Sequence, residues 1–482
     1  MHELTRQVLR RFAALIFAEL SLFLVICHVF ADDSAESAHS PNIVIILADD
    51  LGYGDVGCYG QARIKTPAID RLAAEGMRFT SAYAGCTVCA PSRCTLLTGR
   101  HTGHASVRAN GKTTLLDEPT IASVLKQAGY ATGVVGKWGM SLPDDPGPPS
   151  KHGFDYFFGY MTHVDAHNYY PEYLWENDRQ VPLPGNVVRN GVAIEHATYA
   201  PDLITAKALE FLDRHQAEPF LLYLCFNLPH ANNEAGRGGG NGMEIPSDAP
   251  YSHEDWPQPQ KNHAAMITRL DSDVGKVLAR LKALGLDETT VVFFSSDNGP
   301  HKEGGADPAF FSSAGPLSGY KRSMTEGGIR VPMIVRWPDK IPAAQTSDLP
   351  WAFWDALPTV AELCHVPAPS DIDGLSIVPT LLGSEAAGRE QPQHEYLYWE
   401  FHEKGFHQAI RFGRWKAIRE GLDGPIAFYD LREDLGETNN LAKSHPKIVA
   451  RAAALLAAAR TESERFPITT ARPQAKRPNK DH

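Results

Sequence analysis

The sequence predicts an α/β protein: a large, mostly parallel sheet flanked by helices, with a small C-terminal antiparallel sheet plus a helix. Three observations predict it. Continuous apolar runs, each ending in polar residues, recur along the first three quarters of the chain. Helical patterns separate them, and alternating strand and helix is the signature of a parallel sheet covered on both faces. Beyond about residue 385 the runs become short strands without intervening helices.

The first run, 42–47, closes on Ala48-Asp49-Asp50 and reads as a strand buried on both faces, hence central. The run 131–135 ends in Gly136-Lys137, and 220–226 is followed by Asn227 and Pro229-His230. Thr290–Ser296 ends in Asp297-Asn298-Gly299. Helical patterns cover 121–128, 204–214 and 263–284. Strands are expected at 395–401, 408–412 and 415–419, and an Ala-rich helix at 448–460. In open α/β sheets ligands bind beyond the carboxyl ends of the strands, which groups Asp49, Asp50, Lys137, His230, Asp297 and Asn298 at one edge.

Arg6, Arg10 and Arg11 precede an apolar stretch reaching Ala31, so 1–31 reads as a secretory signal peptide and 32–40 as a linker. The expected division continues with a catalytic domain at 41–384, an α+β subdomain at 385–466 and a disordered tail at 467–482. Export to the periplasm or the medium follows, with no stable membrane insertion. The chain carries 46 Lys and Arg against 57 Asp and Glu, a net charge of −11, which argues against nucleic acid as a partner. Cys86, Cys89 and Cys94 lie close together, but no second ligand pair follows at zinc-finger spacing.

The stretch 89–100 carries the most specific chemistry. Pro91 suits the first turn of a helix, which puts Cys89 at a helix N-terminus, where free N–H groups and the dipole favour an anion. Arg93, one turn on, can point to the same end. Asp49, Asp50, Asp297 and Asn298 offer hard oxygen ligands, suited to calcium or magnesium.

These residues resemble the sulfatase family. Cys89-Ala90-Pro91-Ser92-Arg93, with Thr98-Gly99-Arg100 following, is similar to its signature, and the stretches around Asp49-Asp50 and Asp297-Asn298 match other family pieces in order over roughly 42–465. The resemblance implies an alkaline phosphatase-like fold. It also implies Ca2+ bound by Asp49, Asp50, Asp297, Asn298 and the residue at 89, with Cys89 converted to formylglycine by a sulfatase-maturing enzyme. The hydrated aldehyde would attack sulfur with one hydroxyl and expel sulfate with the other, Asp297 acting as base. Arg93, Lys137, His230 and Lys321 would balance charge on the sulfuryl group. Many members carry a His where this chain has Gly139; His167 is the first substitute and His163 the second.

The implied activity is release of sulfate from a sulfated carbohydrate or aryl sulfate. Tyr169, Tyr170, Tyr173 and Trp175 are candidates for sugar stacking. A phosphate or phosphonate ester hydrolase of the same superfamily and a non-catalytic sulfated-glycan binder are the competing readings.

Overall fold

The computed structural model describes residues 40–111, 114–142, 147–403 and 405–468. The expected signal peptide, nearly all of the linker and most of the tail lie outside the described residues. No helix among the described residues is long and apolar enough to cross a membrane.

The main sheet is built from β1 (Asn42–Ala48), β2 (Met77–Phe79), β3 (Ala131–Lys137), β4 (Tyr156–Tyr160), β5 (Tyr173–Glu176), β6 (Arg179–Pro182), β7 (Phe220–Cys225), β8 (Thr290–Ser296), β9 (Met333–Arg336) and β10 (Gln345–Ser347). Its spatial order is β10-β2-β9-β8-β1-β7-β3-β4-β5-β6. The five strands from β8 to β4 run parallel. The flanks do not: β9 is antiparallel to both β8 and β2, and β5 and β6 turn back antiparallel on the other side. The sequence reading found the long central strands and missed these flanks, whose four-residue runs are too short to show a period.

Alternation along β1 explains why it must be central. Val44, Ile46 and Ala48 face one apolar cluster, while Ile43, Ile45 and Leu47 face another. The first cluster is covered by α1 (Pro67–Ala74), by the later helix Ala200–Arg214 and by the long helix Gln258–Ala283. The second is covered by α2 (Cys89–Thr98), α3 (Ile121–Gln127) and the helix Ala356–Leu363. In chain order those later helices are α4 (Ala200–Arg214), α5 (Gln258–Ala283) and α6 (Ala356–Leu363). Each fully buried Val, Leu, Ile or Phe in these layers contributes about 1.5–3 kcal/mol.

The C-terminal sheet has four antiparallel strands, β11 (Leu397–Phe401), β12 (His407–Phe412), β13 (Trp415–Glu420) and β14 (Ile426–Asp430). The sequence reading expected three; β14 is an edge strand with little fully buried beyond Phe428, so its apolar pattern is weak. One face of this sheet packs Leu397 and Trp399 against Val88 and Trp354, and the other packs Tyr398 and Phe428 against α7 (Pro446–Ala458). The helix begins two residues earlier than its Ala-rich run, at a proline whose missing N–H costs nothing there.

Candidate active site

β1, β7 and β8 end at one level, because Leu47 pairs with Cys225 and Ala48 with Ser296. The ladder runs one step further, with Asp49 N donating to Leu228 O and Asp297 N donating to Ala48 O. Both carboxylates therefore leave the sheet at the same edge, fully buried. Asp50 turns sharply, in the left-handed region at φ 65°, where Asp is among the tolerated residues. Its backbone N–H donates to Asp297 Oδ1 at 3.1 Å, and its Oδ1 accepts from Asn298 Nδ2 at 2.6 Å.

Cys89 is the first residue of α2, as the proline rule predicts, and is 2% exposed. Asn110 fixes that helix tip: its Oδ1 accepts from Ala90 N at 3.1 Å and lies 3.7 Å from Cys89 Sγ. Burial pushes the Cys89 thiol up from its ordinary value. Cys86 and Cys94 point elsewhere, towards Glu400 O and Glu118, so the three cysteines do not converge on a metal.

Three cations enclose the carboxylates. Arg93 donates from Nε and Nη2 to Asp297 Oδ2, at 3.0 and 2.8 Å, and from Nη1 to the Lys137 carbonyl at 2.8 Å. Lys137 Nζ donates to Asp49 Oδ2 at 2.5 Å. Lys321 Nζ donates to Asp50 Oδ2 at 2.8 Å and approaches Glu303 Oε2 at 3.3 Å. The close approach of Lys137 depends on Gly136, at φ 108°, where an added Cβ would sit 1.9 Å from Cys225 O.

His230 lies between these groups. Its Nδ1–H donates to Ala231 O at 2.6 Å, which leaves Nε2 to accept from Lys321 Nζ at 3.0 Å. Burial, then the Lys321 charge, holds the imidazole well below its usual pKa, so it is neutral. His167 stacks on this ring at 4.8 Å between centroids and donates from Nδ1 to Glu234 Oε2 at 3.0 Å. His163 Nδ1 is buried without a hydrogen-bond partner, and burial followed by Lys137 and His167 pushes it down to about 4. An added Cβ at Gly139 would meet Lys137 and Arg93 side chains no closer than 3.6 Å.

All ten residues singled out from the sequence thus gather at one edge, His167 through its stack on His230. Sequence reasoning missed Asn110, Glu234 and Glu303, which lie on loops with no periodic or motif signal. Among the four aromatics proposed for stacking, Tyr169 and Tyr170 are only 0% and 6% exposed. Tyr169 Oη lies within bonding distance of the Asn227 and His230 carbonyls, which makes it a brace for the His230 loop rather than a sugar platform.

The donor set fits a hard divalent cation. Asp49 Oδ1 and Asn298 Oδ1 are buried with no hydrogen-bond partner, a costly state unless something positive faces them. Ligand atoms of Asp49, Cys89 and Asp297 lie within 4.8 Å of one another, as do those of Asp49, Asp50 and His230. Three buried carboxylates, Asp49, Asp50 and Asp297, face three cations, and the neighbouring Glu303 is shared between Lys321 and Arg322. Asp297 feels the crowding: burial first and then Asp49 push it up to about 7. Asp49 stays well below the usual range because Lys137 and Arg93 outweigh its burial.

Residues 41–366 match the Sulfatase family profile, and 319–461 match "N-sulphoglucosamine sulphohydrolase, C-terminal". The N-acetylgalactosamine-6-O-sulfatase of Bacteroides thetaiotaomicron is 31% identical, covering 89% of this chain and 95% of its own length. The N-acetylgalactosamine-6-sulfatase of Canis lupus familiaris is 30% identical, covering 91% and 83%. The solved structure of Ps i-CgsB superposes with a TM-score of 0.74 at 28% identity, covering 90% of this chain and 96% of that one. The fold and edge site are those of an α/β ester hydrolase. The chain belongs to the sulfatase family and is a sulfuric ester hydrolase.

Proposed function

We propose that this chain removes sulfate from a sulfated glycan, using formylglycine at position 89 and a calcium ion. The observation that carries the proposal is the meeting, at one helix tip, of Cys89 with two unpartnered buried oxygens and three cations. Asp49, Asp50, Asp297 and Asn298 would hold the ion, which when bound polarises the sulfate and the hydroxyl at 89. The hydrated aldehyde supplies the nucleophilic hydroxyl and a second one for turnover.

The chain's own residues do the rest. Asn110 and the free N–H groups of α2 orient residue 89. Asp297, held by Arg93, accepts a proton released there. Lys137, Lys321 and Arg93 balance charge on the sulfuryl oxygens in a site that excludes water. His230 Nε2 accepts from the Lys321 ammonium and so orients that charge toward the leaving oxygen. His167 keeps the His230 ring in place by stacking. The glycan class is supported by relatives named for N-acetylgalactosamine sulfate and by the solved complex of Ps i-CgsB with k-i-k-neocarrahexaose. Export through a signal peptide at 1–31, and modification by a formylglycine-generating enzyme, belong to the same proposal, as does the division into 41–384 and 385–466.

The test is turnover of matched sulfate and phosphate esters of one sugar before and after chelation. The proposal expects sulfate release to dominate and to stop on chelation. Equal activity on the phosphate ester, or full activity without the metal, contradicts it.

A further inference from the structure

A second cavity lies beside the site, with a volume of about 370 Å³, in the range of small-ligand pockets. Glu234 lines it, and Glu234 is the residue that holds His167 against His230. Tyr160 lines it too, and the Tyr160 carbonyl accepts from Trp138 N at 3.0 Å, next to Lys137. The cavity is therefore one side chain away from the reacting groups, at the same edge of the sheet.

Its chemistry differs from that of the site. The wall carries Asp165, Glu172 and Glu234, and no Lys or Arg lines it among the described residues. Glu234 is paired with His167 and, at 3.3 Å, with the exposed Arg237. Asp165 and Glu172 form no ion pair among the described residues. Both raise the Tyr173 hydroxyl further after burial has done so, which places their charge at that ring. Tyr173, 38% exposed, meets Trp175 edge-on at 6.0 Å, and both line the cavity. Aromatic faces beside carboxylates that accept hydroxyl hydrogen bonds suit a pyranose ring. An unbalanced negative wall repels a carboxylate or a second sulfate.

We infer that this cavity is a subsite for an uncharged sugar ring adjoining the sulfated unit, selecting neutral over uronic or sulfated neighbours. The inference rests on the glycan reading above and deepens it. The direct test is ligand-observed NMR of the full chain with lactose and with a disaccharide in which glucuronate replaces galactose. Lactose should bind, Trp175→Ala should weaken it about tenfold, and glucuronate should bind about tenfold more weakly than lactose. Glu172→Lys should narrow that discrimination while leaving lactose bound. Absence of lactose binding, indifference to Trp175→Ala, or equal binding of the glucuronate disaccharide overturns the subsite. Sulfate release from 6-sulfated N-acetylgalactosamine, with and without an appended galactose, reads the parent proposal separately. No release from either sugar, with lactose binding intact, rejects 6-sulfated N-acetylgalactosamine as the substrate and leaves the neutral-sugar cavity standing.

Discussion

Lys321 touches Asp50, Glu303 and His230 at once, so its charge serves both the carboxylates and the imidazole. Its pKa is raised because Asp50 and Glu303 outweigh its burial, and it stays charged across the working range. Lys321→Ala should lower kcat by about 10²–10³-fold, the loss seen when a preorganised donor is removed, with a smaller change in KM; steady-state kinetics on one sulfate ester checks this. Cys89→Ser should accept sulfate once and then stall, because an ordinary alkoxide ester lacks a second hydroxyl; a burst without steady turnover is the expected trace. Most of these residues were legible in the sequence. Asp49, Asp297 and Lys137 end apolar strands, and the stretch around Cys89 has a distinctive spacing. Glu303 and Asn110 were not legible, since a loop residue reaches a site by a path that no local period records. His167 was legible as a candidate, but its role was not: it meets His230 by its ring face and spends Nδ1 on Glu234.

At the scale of elements, the C-terminal sheet is fastened by Glu400 on β11. Its Oε1 accepts from Arg108 and His402 and its Oε2 from Tyr398 and Arg460, each at 2.9 Å. Arg108 follows α2, so this carboxylate ties the small sheet to the segment that carries Asn110. Burial pushes Glu400 up, but the His402 hydrogen bond, Arg108 and Arg460 outweigh it and bring the group from 4.5 down to about 2. A depressed carboxylate stabilises the fold only while ionised. Its contribution, about 3 kcal/mol, is therefore whole above about pH 4.5 and is lost as pH falls through about 2. Glu400→Gln should cost about 3 kcal/mol at neutral pH, because Arg108 and Arg460 lose their shared carboxylate while keeping Thr461 and Glu462, and should flatten the acid limb of a stability-against-pH curve measured by denaturant titration. Short apolar alternation made this sheet legible, yet the Glu400 hub was not, because its two arginine partners lie 60 and 292 residues away along the chain.

Across the whole molecule, the unpartnered buried oxygens of Asp49 and Asn298 at the edge of the central sheet couple metal binding to stability. A cation bound at about a hundredfold its dissociation constant adds about 2.7 kcal/mol to the folded state. Chelation should lower the melting temperature and abolish activity together, calcium should restore both, and Asp297→Asn should remove the response; differential scanning calorimetry alongside sulfate release checks this. The long parallel strands made the architecture readable from the outset, because a strand buried on both faces can only be central. The antiparallel edges were not readable, since their short runs are set by pairing with a sheet already formed. The central claim concerns residue 89, and mass spectrometry of the peptide spanning it, in preparations of graded activity, tests that claim most directly. The aldehyde in place of the thiol, in a fraction that rises in proportion to sulfate release, is the predicted result. Full turnover by protein in which every Cys89 remains a thiol would contradict it.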